Sequence, residues 1–364
     1  FPLLTLTVFT LSSWAEDGHR LWLPAQKSQT AHVSTNAQSA TIDLAKQELT
    51  DYFAGTKATL LIDPALTDDE GFTINGNEDS VVVRARRDIG LLYGAYDVLR
   101  RQAIQGNMNH VEQHPRFRLR MLNHWDNLDG SIERGYAGES IFEWFHLDEA
   151  LLHQYARANA SIGINGSVLN NVNASPQMLS PIYINKVKAI ADILRPYGIK
   201  TYLSVNFASP MALGGLKTAD PLNPEVAQWW KDKAKEIYSI IPDFGGFLVK
   251  ANSEGQPGPG DYDRKHSDGA NILADAVKPY GGIIMWRSFV YGANHKGEDR
   301  VKQAVSEFKG MDGKFRDNVI LQSKNGPLDF QPREPYAPIF DNIKQTPQIA
   351  ELQITQEYLG QSKH

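Results

Sequence analysis

Short apolar runs alternate with amphipathic segments along the last two thirds of the chain. From residue 117 onward the apolar runs recur roughly every 35 to 45 residues. Runs this short, without a helical period, are typical of buried strands. They predict strands at residues 117–122, 164–169, 199–205, 246–249, 282–287, 318–322 and 350–355. Between them, apolar residues three and four positions apart predict helices at residues 147–159, 184–197, 224–240, 270–277, 301–308 and 340–344.

Repeated strand–helix units predict a parallel sheet, because parallel neighbours need a crossover connection between them. Units of this even length favour a (β/α)₈ TIM barrel over an open sheet. Seven units fit between residue 113 and the last residue, His364. We therefore expect an α/β fold in which residues 113–364 form a (β/α)₈ barrel whose eighth unit is missing.

The pattern before the barrel is less regular and predicts a small α+β domain over residues 16–112. Helical spacing marks residues 45–53 and 90–99. Short β-type runs predict strands at residues 21–23, 37–42, 58–62 and 80–84. The segment His114-Pro115-Arg116-Phe117 marks the boundary between this domain and the barrel.

The first fifteen residues form an apolar stretch that ends in Ser13-Trp14-Ala15. An apolar core followed by small residues is typical of a signal peptide. We expect residues 1–15 to be the remnant of such a signal, and the protein to be exported to the periplasm, the cell surface or the medium. The alternative is a buried N-terminal strand.

Composition limits the chemistry that the chain can perform. Cysteine is absent, and the ten histidines are scattered without an H-E-x-x-H pattern. The absence of cysteine excludes disulfides, thiol nucleophiles and cysteine-ligated metals. There is no nucleotide-binding glycine pattern, and the net charge of −5 does not favour nucleic acid. We therefore expect no metal, no cofactor and no nucleic-acid partner.

The fourth predicted strand ends in a group of polar residues. The apolar run 247–249 is followed by Lys250 and Glu254, and then by a loop rich in glycine and proline at residues 255–260. In an α/β barrel, the active site is built from the carboxyl ends of the strands and the loops after them. Glu254 is thus a candidate catalytic residue, although a single glutamate in a loop is more often a cap or a solvated side chain.

Polar residues follow the other predicted strands as well. The set comprises His124, Trp125 and Asp126, then Asn170, Asn171, Asn173 and Asn206, and finally Asn252, Trp286, Arg287, Lys324, Asp329, Gln356 and Glu357. Two of its members, Arg287 and Lys324, join Lys250 as three cations at strand ends. Arginine and lysine bind carboxylates by charge-assisted hydrogen bonds, so these three predict an anionic sugar as the ligand.

The three carboxylates Glu254, Asp329 and Glu357 could cleave an acetal, which needs one proton donor and one carboxylate that activates water or attacks the sugar. Each feature has a structural alternative. Arg287 and Lys324 could form structural ion pairs, the tryptophans could belong to the core, and the asparagines could form turns.

Three long strings of this sequence resemble the α-glucuronidases of glycoside hydrolase family 67. They are residues 121–138, 250–259 and 314–335, and the resemblance covers residues 16–364. It implies a β-rich N-terminal domain, a (β/α)₈ barrel and a mainly helical C-terminal domain that forms a homodimer. Family members are longer than this chain, so we expect the eighth barrel unit and the C-terminal domain to lie outside it.

The resemblance also implies the reaction. The family removes 4-O-methyl-D-glucuronic acid that is α-1,2-linked to the terminal non-reducing xylose of xylooligosaccharides. The mechanism implied is inverting hydrolysis that needs no metal. Glu254 matches the general acid, and Asp329 and Glu357 match the carboxylates that activate water. The residues implied to contact the substrate are Lys250, Arg287 and Lys324 at the uronate carboxylate, Trp125 at the sugar, and Val172 at the 4-O-methyl group.

Two other functions remain open. A non-catalytic protein that binds sugar acids on a barrel scaffold would need the cations but not all three carboxylates. A retaining, hexosaminidase-like hydrolase would need an adjacent Asp-Glu pair after the fourth strand, where this chain has Ser253-Glu254.

Overall fold

A computed structural model describes residues 20–133, 139–288, 298–326 and 335–352 of the chain. The chain divides into two compact units. The first contains most of the residues up to Gln113, and the second contains those from His114 onward.

The first unit is built on a mixed five-stranded sheet. Its strands are β1 (His32–Thr35), β2 (Lys57–Ile62), β3 (Phe72–Gly76), β4 (Ser80–Ala85) and β5 (Val111–Gln113), in the order β1-β2-β4-β3-β5. Strands β1, β2 and β4 run parallel, whereas β3 is antiparallel to β4 and β5. The helices are α1 (Ala40–Tyr52) and α2 (Asp88–Ala103).

Helix α2 lies close to β4 because it carries a glycine at the contact. A Cβ atom at Gly94 would lie 2.4 Å from Cγ1 of Val83. Val81 and Val83 are buried on the same face of β4, as the period of two along a strand requires.

Two predicted strands of this unit are wrong. Residues 21–23 form a turn in which Leu21 has φ 55° and is 50% exposed. Residues 40–42 form the first turn of α1, because the Ser39 hydroxyl accepts a hydrogen bond from the Ile42 backbone N–H at 3.2 Å and starts the helix. Strands β1, β3 and β5 were not predicted, since they are short and partly polar.

The second unit contains a parallel sheet of seven strands in chain order. They are β6 (Met121–Asn123), β7 (Gly166–Val168), β8 (Lys200–Ser204), β9 (Gly246–Val249), β10 (Ile283–Arg287), β11 (Val319–Lys324) and β12 (Gln348–Glu351). Every neighbouring pair is parallel. The predicted α/β fold with a parallel sheet is therefore confirmed, whereas closure into a (β/α)₈ barrel stays a prediction.

Only the ends of the strands differ from the prediction. The first strand begins at Met121 rather than Phe117, which is 70% exposed. The last begins two residues earlier than predicted, at Gln348. Lys324, predicted to follow the sixth strand, is the last residue of β11.

The described helices of this unit are α3 (Glu149–Ser161), α4 (Pro181–Leu194), α5 (Ser209–Ala212), α6 (Pro224–Ile240), α7 (His266–Val277), α8 (Arg300–Phe308) and α9 (Ile339–Asn342). The ends of α6 agree with the prediction because its start is marked twice. Asn223 accepts a hydrogen bond from the Glu225 N–H at 2.8 Å, and Pro224 occupies the first helical position. None of the described helices is long and apolar enough to cross a membrane.

Strand β9 lies at the centre of the sheet and is buried on both faces. Phe247, Leu248 and Val249 are each 0% exposed. Trp230 of α6 packs on Phe247 with ring centroids 6.1 Å apart. Trp286 of β10 also belongs to the core, and its indole N–H donates to His266 Nδ1 at 3.1 Å. A continuous apolar run is therefore the sequence signature of this strand.

We predict that Gly246→Ala destabilises the second unit by at least about 2 kcal/mol. Gly246 has φ +132°, and a Cβ there would lie 1.9 Å from the Ile283 carbonyl oxygen on the neighbouring strand. Urea unfolding followed by circular dichroism measures the change. The control is Gly310→Ala, because a Cβ at Gly310 meets no atom within 4 Å. Equal stability of the two variants would contradict the prediction.

Candidate functional site

Lys250 places a charge at the buried end of β9. The residue follows Val249 directly and is only 2% exposed. Its ammonium group donates to Asn173 Oδ1 at 2.7 Å and forms an ion pair with the Glu254 carboxylate. A buried charge is tolerated only with such partners, so the end of β9 joins the loop after β7 to the Glu254 loop.

A tight turn brings Glu254 back onto Lys250. Asn252 and Glu254 both have φ 49°, and Gly255 has φ +78°. The turn is closed by a hydrogen bond from the Gln256 N–H to the Ser253 carbonyl at 3.0 Å. The Glu254 side chain is 47% exposed, in contrast to that of Lys250. Glu254 is thus held at one end by Lys250 and faces solvent at the other.

The loop after Glu254 is braced by two side chains. Asn252 Oδ1 accepts from the Gly260 N–H at 2.8 Å, and its Nδ2 donates to Asp261 Oδ1 at 3.0 Å. Asp261 Oδ2 in turn accepts from the Gly258 N–H at 3.0 Å. A Cβ at Gly258 would lie 2.2 Å from Asn252 Oδ1, so the bracing requires glycine at this position.

Three cations determine the charge of Glu254. Burial acts to raise the pKa of Glu254, but the hydrogen bond and charge of Lys250, and then the charges of Lys324 and Arg287, outweigh it. The pKa of Glu254 therefore lies below its ordinary value of 4.5. In this arrangement Glu254 is a carboxylate at neutral pH.

Arg287 forms a buried ion pair with Glu351, a residue that was not among the predicted site residues. Its Nε and Nη2 donate to the two Glu351 oxygens at 2.9 and 2.8 Å, and Gln322 Nε2 donates to Glu351 Oε2 at 2.8 Å. Arg287 Cζ also lies 6.0 Å from the centroid of the Trp125 ring. One edge of the Arg287 guanidinium group, formed by Nε and Nη2, thus makes the structural ion pair that was the alternative to substrate binding. The sequence did contain a signal for this pair. Glu351 lies inside the last predicted strand, and a charged residue that is buried in a strand needs a partner of opposite charge.

Glu133 is a second residue that was not among the predicted site residues. Its Oε2 accepts from Asn171 Nδ2 and from Asn173 Nδ2, each at 2.6 Å. A carboxylate can only accept and an ammonium can only donate, so Glu133 and Lys250 impose the same orientation on the Asn173 amide. Asn171 and Asn173 are therefore more than turn formers.

Trp125 and Val172 lie beside an apolar cluster between the strands. Val172 is 1% exposed and packs with Val168, Tyr202, Leu248 and Met285, while Trp125 is only partly buried against this cluster. Their predicted contacts with substrate remain predictions.

The structure brings four of the predicted residues into one electrostatic group: Lys250, Glu254, Arg287 and Lys324. Lys324 is 7% exposed at the end of β11. Asp329 and Glu357 lie outside the described residues, and their roles stay predictions. Within the described part of the chain, no group of three or more histidine or acidic residues could hold a metal ion.

The sequence matches a known family over most of its length. A sequence model of the glycosyl hydrolase family 67 middle domain matches residues 99–364. The chain belongs to glycosyl hydrolase family 67. The match covers both the β9 loop and the strands that carry Arg287, Lys324 and Glu351.

Fungal relatives of this family 67 chain bear the name alpha-glucuronidase A. A probable alpha-glucuronidase A of Aspergillus fumigatus is 50% identical over 82% of this chain and 36% of its own length. The probable alpha-glucuronidase A of Aspergillus clavatus is 42% identical over 99% of this chain and 49% of its own length. The alpha-glucuronidase A of Emericella nidulans is 47% identical over 83% of this chain and 37% of its own length. The chain thus spans a third to a half of the length of these relatives.

Solved structures share the fold at low sequence identity. A GH138 enzyme targeting pectin rhamnogalacturonan II has a TM-score of 0.57 at 15% identity, over 89% of this chain and 42% of its own. A mutant Streptomyces plicatus beta-hexosaminidase has a TM-score of 0.53 at 14% identity, over 89% of this chain and 70% of its own. Both are fold relatives of this family 67 chain.

We predict that Asp261→Ala loosens the loop that follows Glu254. The change removes the acceptors of the Gly258 N–H and of Asn252 Nδ2. Losing two hydrogen bonds of about 1 kcal/mol each should accelerate amide exchange of Gly258 and Gly260 roughly 10- to 30-fold. Hydrogen exchange with mass spectrometry measures it. Asp263→Asn, at an exposed position of the same loop, is the control, and equal exchange in both variants would refute the bracing role.

We predict that Glu351→Ala costs about 3–5 kcal/mol of stability, because it leaves the Arg287 charge buried without its partner. The side chains of Arg287 and Glu351 are 2% and 8% exposed. The control is Asp275→Asn, whose ion pair with Arg316 is 43% and 49% exposed and should contribute less than about 1 kcal/mol. Similar losses for the two variants in urea unfolding would contradict the importance of the buried pair.

Proposed function

We propose that this chain is the catalytic part of an α-glucuronidase, a glycosidase that removes glucuronic acid from an oligosaccharide. The observation that carries the proposal is the group of buried cations around Glu254. Lys250, Arg287 and Lys324 are 2%, 2% and 7% exposed, and all three act on the same carboxylate. The names of the fungal relatives support the same activity.

A uronic acid fits this site because its carboxylate matches the cations. Lysine and arginine form their strongest hydrogen bonds with carboxylates and phosphates. On Arg287 we assign Nη1 to the substrate, because Glu351 accepts from the opposite edge of the guanidinium. Trp125 contacts the sugar in this proposal, and Val172 contacts the 4-O-methyl group.

The reaction we propose is inverting hydrolysis of the α-1,2 bond between 4-O-methyl-D-glucuronic acid and the terminal non-reducing xylose of a xylooligosaccharide. Glu254 gives its proton to the glycosidic oxygen, which leaves C1 with the bonding electron pair. Water attacks C1 from the opposite face, and Asp329 or Glu357 takes the water proton. The first product is then the β-anomer of the sugar acid. No metal or cofactor takes part.

The wider biology is also a proposal. We infer that the protein acts on glucuronic-acid-substituted xylooligosaccharides during xylan degradation, and that it is exported. We further propose that the intact protein forms a homodimer through a C-terminal domain, as its resemblance to the α-glucuronidases implies.

Glu254→Gln tests the role of the acid. We expect turnover of a 4-O-methylglucuronate-substituted xylooligosaccharide to fall about 10³-fold, because the leaving xylose needs a proton. An α-glucuronyl fluoride should be affected far less, since fluoride leaves without protonation. The control is Glu112→Gln, at an exposed position of β5.

NMR of the first turnovers identifies the anomer of the released sugar acid. An α-anomer appearing first would overturn the inverting mechanism. A wild-type protein that binds the sugar acid but never releases it from the oligosaccharide would instead favour the non-catalytic binding protein.

A further inference from the structure

Lys250 has two carboxylate partners once the proposed function is considered. In the structure it pairs with Glu254 and donates to Asn173 Oδ1 at 2.7 Å. In the proposed reaction it binds the substrate's carboxylate. A proton donor must carry a proton, whereas the Lys250 ammonium favours the charged form of Glu254. The two roles of Lys250 therefore conflict unless one partner replaces the other.

The structure indicates which residue moves when the partner changes. Lys250 is 2% exposed and is fixed by Asn173, whose amide nitrogen donates to Glu133 at 2.6 Å. Glu254, by contrast, is 47% exposed and lies at the tip of a turn. Moving the Glu254 carboxylate into water costs little desolvation, whereas moving the buried ammonium would break its bond to Asn173.

The charged groups around Glu254 come from several elements. Lys250 directly follows β9, Arg287 ends β10 and Lys324 ends β11. Two anions partly offset these cations. Glu351 of β12 binds Arg287, and Glu133 acts on Lys250 through Asn173. Asp261, which follows the glycine- and proline-rich loop, is engaged by Asn252 and the Gly258 N–H.

We propose that the substrate's own carboxylate activates the proton donor: it replaces Glu254 on Lys250, and the released Glu254 takes up the proton that it later gives to the leaving oxygen. This inference rests on the proposed function. The proton comes from solvent, so the site gains one anion and one proton together. The glycosidic bond then breaks with that proton on the leaving oxygen.

The exchange explains how such a site selects charged sugars in the chemical step. A neutral sugar would leave the Lys250–Glu254 pair in place and the donor without its proton. Binding of the substrate carboxylate to Lys250 would thus raise kcat as well as lower Kd. An interaction raises kcat when it stabilises the transition state more than the bound substrate.

The test is the pH dependence of D-glucuronate binding by wild type and by Glu254→Gln, measured by calorimetry. Binding that takes up a proton weakens tenfold for each pH unit between the free and bound pKa values of the group. We expect the wild-type Kd to rise with this slope from the lowered pKa of Glu254 in the free protein up to the higher pKa of Glu254 in the complex, and the Kd of the glutamine variant to lack this component. All other titrating groups are common to the two proteins and cancel. Parallel profiles would overturn the proposal.

A second arm needs no variant. Wild type should bind D-glucuronamide, the neutral amide of the same sugar, without the pH component seen for D-glucuronate. The same pH profile for both ligands would also overturn the exchange. Failure of the proposed function is distinguishable, because it would appear as no release of glucuronate from the oligosaccharide, whatever the Kd profiles are.

Discussion

A buried ammonium group at the end of the central strand is the constraint on which the site depends. Lys250 follows three fully buried residues of β9, and its charge must be balanced inside the second unit. Asn173, fixed by Glu133, supplies one partner, and Glu254 supplies the other. In the turn at residues 252–255, Asn252, Glu254 and Gly255 have positive φ angles, and this turn brings Glu254 back to the charge. The position of the proposed proton donor is thus set by the need to compensate Lys250.

Arg287 and Lys250, two of the three cations, have partners of different kinds. Arg287 has a permanent partner in Glu351, which fixes one edge of its guanidinium. Lys250 has a partner on an exposed turn, which can be displaced at lower cost. The buried Arg287–Glu351 pair makes the site preorganised. The exchangeable Lys250–Glu254 pair lets the site accept an anion, and recognition of a sugar acid requires both properties.

The sequence predicted the parallel sheet well because its central strands β9, β10 and β11 each contain a continuous apolar run that ends at polar residues. It predicted the first unit less well, since β1 is partly exposed and α1 begins at a cap that the apolar pattern does not reveal. It also placed Lys250, Glu254, Arg287 and Lys324 at strand ends. Glu133 and Glu351 could not be assigned as partners, because strand register and loop conformation decide which side chains meet.

The central claim is that the cations at the strand ends serve to recognise and process a uronate. It is tested most directly by comparing kcat/KM for a 4-O-methylglucuronate-substituted xylooligosaccharide with kcat/KM for the same molecule after its carboxylate is reduced to an alcohol. The two substrates differ only in the group that faces the cations. We predict a loss of about 10³-fold or more on reduction, as expected for charge-assisted hydrogen bonds to several buried cations. Equal values for the two substrates would contradict the account.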